Sequence, residues 1–155
     1  MPPHPPLPFA ALVAQWPDVA VARLQRLATP QGIAAFVAAL PDSGDDDVRA
    51  PLSVLRDGCA GALDAGLFAS AALRQCAADV RLGAAQHDGQ WFTVALAQVD
   101  GHAIAISRAP ANALARAAQS AVAVSDWDGL DWMTEDSGAA TLVAAVLAEA
   151  GYKPK

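Results

Sequence analysis

Lysine is nearly absent from this chain. Its only two, Lys153 and Lys155, lie within the last three positions. Ten lysines and arginines face sixteen aspartates and glutamates, a net charge of −6, and the arginines are scattered rather than striped. A nucleic-acid binder needs a basic stripe to displace phosphate counterions, and an anionic membrane asks for the same. Both partners are set aside. A chain of this charge meets a basic protein more readily, because opposite fields speed encounter and reject wrong partners.

Cysteine is scarce too. Cys59 and Cys76 are too few for a disulfide scaffold, and their spacing matches no zinc motif. Each falls on the apolar stripe of a predicted helix, which reads as a buried, reduced thiol. The alternative is a disulfide between adjacent helices, which requires an oxidising compartment. There is no G-x-S-x-G, no H-E-x-x-H, no P-loop and no G-x-G-x-x-G. Cys76 with His87 or His102 would be a nucleophile and base, but no local sequence activates the pair. No catalytic residue, cofactor or metal is therefore assigned.

Long apolar runs are missing as well, and none approaches the roughly 18 residues of a membrane span. The opening Met-Pro-Pro-His-Pro-Pro-Leu-Pro-Phe has neither the basic nor the apolar region of a signal peptide. The expectation is a cytoplasmic protein, and the alanine and arginine bias points to a GC-rich bacterial genome.

What the chain does have is alanine, 39 of 155 residues, and the best helix former tilts the prior toward helices. The length suits one domain with a proper core. Residues 1–8 read as a proline-rich disordered tail with PxxP spacing, and 9–152 as a single globular domain. A short helix is expected over 9–16. The next is capped by Asp18, with Val21, Leu24 and Ala28 on one face. Thr29-Pro30 then starts a helix carrying Ile33, Phe36, Val37 and Leu40, which Pro41 stops. The aspartates of the 42–47 loop favour the N-terminus of a helix over about 47–64, through its dipole. A second helix spans about 66–79.

From residue 80 the period changes. Asp100-Gly101 between two β-rich runs is a hairpin signal, pairing Val99 with His102, Ala97 with Ile104 and Ala95 with Ile106. Asp88-Gly89 turns an earlier strand around 80–86 into the same sheet. The competing reading is helical, with Phe92, Ala95, Leu96 and Val99 on one face and Gly101 as C-cap. A helix after Pro110 carries Ala111, Leu114, Ala118 and Val122. Ser137 caps the last helix, Gly151 closes it, and 152–155 fray. Asp57-Gly58 loosely echoes Asp100-Gly101 43 residues on, which reads as chance in so alanine-rich a chain.

Residues 125–136 concentrate the chain's chemical character: Trp127, Trp132 and five acids, with no basic residue between them. An EF-hand register places Asp126, Asp128, Gly129 and Glu135 correctly but puts Val124 at the first ligand position, so calcium is not assigned. Aromatics beside charge suit a recognition surface. Asp126, Trp127, Asp128, Asp131, Trp132 and Glu135 are the candidate partner-binding residues, against a reading in which both tryptophans pack inward.

The expected fold is α+β, mostly short helices with an antiparallel hairpin or three-stranded meander around 80–107; an all-α bundle is the alternative. The expected function is protein binding by a small acidic bacterial module. Immunity proteins and secretion chaperones share this profile, by analogy of class. The alternatives are a small enzyme or ligand-binding domain, with a pocket between helices and hairpin near His102 and Trp91, and a structural subunit of a larger assembly.

Overall fold

Two Asp-Gly pairs build the sheet. Asp88 and Asp100 have φ of 51° and 52°, and Gly89 and Gly101 follow at 80° and 79°. Two successive positive φ values make the tight turn whose twist matches that of the flanking strands. The result is a meander of β1 (Val80–His87), β2 (Gln90–Val99) and β3 (His102–Ile106). The pairs Val99–His102, Ala97–Ile104 and Ala95–Ile106 form as the sequence predicts. The computed structural model describes residues 13–44, 47–77, 79–119, 121–124 and 131–152; of these, the side chains of residues 111, 115 and 131 are not described.

The fold is α+β. Six α-helices and a four-stranded antiparallel sheet of order β3-β2-β1-β4 are present among the described residues. The helices are α1 (Asp18–Gln25), α2 (Pro30–Ala39), α3 (Pro51–Asp57), α4 (Asp64–Leu73), α5 (Ala111–Gln119) and α6 (Asp136–Glu149). No described helix is long and apolar enough to cross a membrane.

Helix α4 is the centre of the molecule, and every residue of it is buried. It lies on one face of the sheet, where Leu82, Ala84, Ala95 and Ile106 join the main core. Closest approach falls at Gly66, where an added methyl would come within 2.5 Å of the Thr93 carbonyl carbon and nearer still to its oxygens. Helix α5 covers the other face, with Ala113 and Ala117 against Ala85 and Val94. Here Gly83 permits contact with the Ala117 backbone. Alanine and glycine let both helices sit this close.

Side chains from distant elements seal the helix ends, whose terminal groups have no intrahelical partner. Thr29 caps α2 as expected, accepting from Gly32 N at 3.1 Å. Arg108 Nη2 donates to the Val37 and Leu40 carbonyls at the other end. Gln75 Nε2 donates to Leu24 O at 2.9 Å, in the last turn of α1, and to Leu27 O at 3.1 Å, just past it. Asp136, the first residue of α6, accepts from Ala50 N at 2.8 Å and Ser53 Oγ at 2.7 Å, capping α3 across the molecule.

Several local expectations are corrected. The helix predicted over 47–64 is only Pro51–Asp57. Pro51 sets its first turn, and Gly58, at φ 68°, ends it. Cys59 consequently lies past the helix and Cys76 past α4; both are half-buried and unpaired. Asp18 sits inside α1 rather than capping it, and Ala28 lies outside it. The last helix begins at Asp136 with Glu135, not Ser137, at the cap position. Val122 belongs to β4 (Val122–Ala123), paired with Leu82, and Ala118 is exposed. The inward stripe of α5 is Ala113 and Ala117, because the approach to Gly83 sets the rotation of the helix. The tail 1–8 and most of the 9–16 segment lie outside the described residues.

Candidate functional site

A cleft of about 490 Å³ opens where four segments meet. They are the 42–47 loop, the 61–64 turn, the β1–β2 turn and the end of α6. Its chemistry comes from Asp42, Asp47, Asp64, Gln90, Trp91 and Tyr152, and no basic side chain lines it among the described residues.

Backbone hydrogen bonds hold the acidic wall. Pro41 O accepts from Ala60 N at 3.1 Å and Ala60 O accepts from Ser43 N at 3.2 Å, tying the loop to the segment after α3. Asp42 Oδ1 accepts from Gly44 N at 2.8 Å, so a carboxylate marks the loop's turn.

Asp64 forms the floor. A lone acid in the apolar run Leu63-Asp64-Ala65-Gly66-Leu67-Phe68 is fully buried, and the backbone explains how it is tolerated. Its carboxyl accepts from Gly61 N at 2.5 Å and Arg49 N at 3.2 Å, with Arg49 Nη1 at 3.8 Å. Burial pushes its pKa above the ordinary carboxylate value, and the Gly61 and Arg49 backbone donors pull the other way without cancelling the rise. Both oxygens are thus turned inward to the 61–64 turn and the approach to α3. Arg49 is also held by Asp57, at 3.2 Å. Asp57 in turn is kept below the usual range first by its hydrogen bond from Arg56.

The aromatic wall is Trp91, half-buried on β2, and Tyr152, 39% exposed. Their ring centroids are 5.7 Å apart and their planes stand at 86°. Tyr152 was expected to fray. Instead Gly151, at φ 96°, turns the chain back, and Tyr152 N donates to Leu147 O at 2.9 Å. The opposite wall is fixed by Thr93, whose N–H donates to Ala62 O at 3.1 Å and whose hydroxyl donates to Leu63 O at 2.5 Å.

The acidic tryptophan segment is placed differently. Trp132 is 1% exposed and sits in the main core beside Met133, so its ring offers nothing to a partner. Neighbouring Thr134 accepts from Trp16 Nε1 at 3.0 Å, which locks this turn to the start of the described chain. Asp131 begins the 3-10 turn Asp131–Met133. Glu135 is exposed at the start of α6. Asp126, Trp127 and Asp128 lie outside the described residues. Segment and cleft flank opposite ends of α6, whose 14 residues span roughly 20 Å.

Of the two residues named for a ligand pocket, Trp91 lines the cleft, whereas exposed His102 does not. Cys76 is no activated nucleophile: burial first, and then the Asp100 charge, push its thiol pKa up. No group of three or more metal-ligating side chains occurs among the described residues. Asp42, Asp47, Asp64 and Tyr152 were not singled out from sequence. For Asp64 the signal was present, since an acid inside an apolar helix start must be buried with partners. For Tyr152 there was none. Compared by sequence, the chain matches no protein-family model and no curated protein.

Proposed function

We propose that the protein is an acidic recognition module that binds a basic protein partner, with the cleft as its contact site. The observation that carries this reading is the cleft lining, in which Asp42, Asp47 and two aromatic rings stand above the buried Asp64 and no basic side chain takes part among the described residues. The net charge of −6 adds a field of the same sign, which steers a basic partner and repels acidic ones. Asp126, Trp127, Asp128 and Asp131, with exposed Glu135, stay in the proposal as further partner-binding residues on sequence grounds. Trp132 leaves it. An immunity protein or a secretion chaperone in a bacterial cytoplasm is the specific form this reading takes.

The test is affinity capture from host lysate at low and high salt, with the Asp42→Asn/Asp47→Asn variant as control. Support is a basic protein held near stoichiometrically, released by salt and lost with the variant. Capture of only neutral or acidic proteins, or of nothing, overturns the proposal. A second reading, a small-ligand domain, is favoured by the cleft's volume, which falls in the roughly 300–1,000 Å³ range of ligand pockets. A metabolite retained in native mass spectrometry would support it.

A further inference from the structure

We infer that the outer edge of β3 accepts an extended segment of another protein, which joins the sheet as an antiparallel strand and carries a basic residue toward Asp100. This site is separate from the cleft and goes beyond the recognition reading above.

The sheet runs β3-β2-β1-β4, so one side of β3 has no strand beside it. Which backbone groups point there follows from the register. Val99 and His102 flank a two-residue turn and exchange hydrogen bonds. Every second pair of an antiparallel ladder then does the same, here Ala97 with Ile104 and Ala95 with Ile106. Thr93, two residues before Ala95, obeys the same alternation. Its N–H donates to Ala62 O at 3.1 Å, and its C=O accepts at 2.7 Å from Ser107 Oγ, just past β3. Ala103 and Ala105 therefore turn their N–H and C=O groups outward, and both residues are exposed.

Edges of this kind are usually blunted by lysine, proline, a bulge or an inward charge. β3 reads His-Ala-Ile-Ala-Ile, with none of these, and its pairing with β2 is unbroken. Such an edge gives an extended peptide main-chain bonds, and side-chain seats give it specificity. Ala103 and Ala105 share a face of the sheet with their β2 partners, Gln98 and Leu96. α5 leaves this part of the face open as a groove of about 550 Å³. Side chains of an added strand pass over the two alanines toward half-buried Leu96. Arg81, the cation that lines the groove, is balanced by Asp79 at 3.9 Å.

Charge selects the occupant. Asp100 is exposed at the β2–β3 turn and enters no ion pair among the described residues. It lies beside the C-terminal end of an antiparallel segment, which is where a basic residue belongs. A second copy of this chain fits worse. It brings its own charge of −6, and the arginine that follows its β3, Arg108, already donates to the Val37 and Leu40 carbonyls.

The experiment titrates the full chain by calorimetry, at low ionic strength, with the capped peptide Thr-Val-Thr-Val-Thr-Arg. In antiparallel register its valines lie opposite Ala105 and Ala103, with their N–H groups facing β3. N-methylation of both valines should lower affinity about tenfold or more, whereas N-methylation of the two later threonines, whose N–H groups face away, should change it by less than about twofold. Ala105→Pro removes an outward donor that the β2–β3 ladder does not use, so binding should fall about tenfold with the thermal midpoint nearly unchanged. Ala103→Pro is the second variant should Ala105→Pro disturb the fold. Asp100→Asn keeps the turn, since asparagine also tolerates positive φ, and should weaken the arginine peptide several-fold but not its norleucine counterpart. Absence of binding, or the same response to both N-methylation patterns, overturns the edge site. Indifference of the arginine peptide to Asp100→Asn overturns the charge selection. Self-association in sedimentation that Ala105→Pro abolishes would give the edge to a second copy and overturn the proposal. The cleft reading stands or falls separately, with the Asp42→Asn/Asp47→Asn capture.

Discussion

Gly66→Ala separates local propensity from tertiary packing by the sign of its effect. Gly66 is a buried residue inside α4. On propensity alone, alanine there should stabilise the protein by about 1 kcal/mol. The structure gives the opposite sign. The new methyl would come within 2.5 Å of the Thr93 carbonyl carbon and closer to its carbonyl oxygen and Oγ1. That contact is with backbone, so a rotamer change cannot relieve it. Either α4 or β2 must move, and overpacking of this kind costs about 1–3 kcal/mol. The shift also strains the bonds Thr93 makes to Ala62 at 3.1 Å and Leu63 at 2.5 Å. Losing one costs about 1 kcal/mol more. Against the propensity gain, the net is a destabilisation of about 2 kcal/mol. In a domain of this size that is a fall in thermal midpoint of roughly 4–8 °C. Urea unfolding should show a lower midpoint at unchanged slope, the mark of altered stability rather than an altered unfolded state. A variant as stable as the parent, or more so, would refute the close packing of α4 on β2.

Trp132→Ala should cost about 3–5 kcal/mol, since it empties a core site only 1% exposed; a loss below about 1 kcal/mol in urea unfolding would return this ring to the surface. Asp64→Asn should destabilise at every pH by disturbing the Gly61 and Arg49 bonds, and the gap should depend on pH. Because the native pKa is raised, the parent's carboxyl contributes most when protonated, below the unfolded value of about 3.9, and that contribution is lost as pH rises through the native value. The parent-minus-variant difference in urea midpoint should therefore narrow between acid and neutral pH; a difference that widens contradicts the burial of this group. Gly83→Ala should push α5 off β1, because a methyl there would lie 2.8 Å from the Ala117 carbonyl carbon. Amide exchange should rise first in α5, while α4 stays protected.

The sequence by itself determined the three-stranded meander and the β2–β3 register, though not β4, since Val122 reads there as helix. Asp88-Gly89 and Asp100-Gly101 are local devices: two residues that tolerate positive φ, between runs of period two, specify a turn and hence which residues pair. The Thr29-Pro30 start and the Gly151 stop are legible for the same reason, being satisfied within a few residues of chain. The α3 boundaries were legible too, in Pro51 and Gly58, but alanine-rich flanks carry helical periodicity across both and hide them. Asp57-Gly58 and Asp100-Gly101 are the same dipeptide, yet one ends a helix and the other turns a hairpin, because the partners beyond them differ. Tertiary structure alone decided the rest. Trp132 and Trp91 are chemically alike and sit in comparably polar sequence, yet one is core and the other walls a cleft, since burial depends on what packs opposite. The candidate site draws on positions 42, 64, 91 and 152, four segments that share no motif. A right-angled pair of rings and a shared acidic wall are properties of distance, and those distances exist only once α4 is seated on the sheet and the end of α6 is folded back beside it.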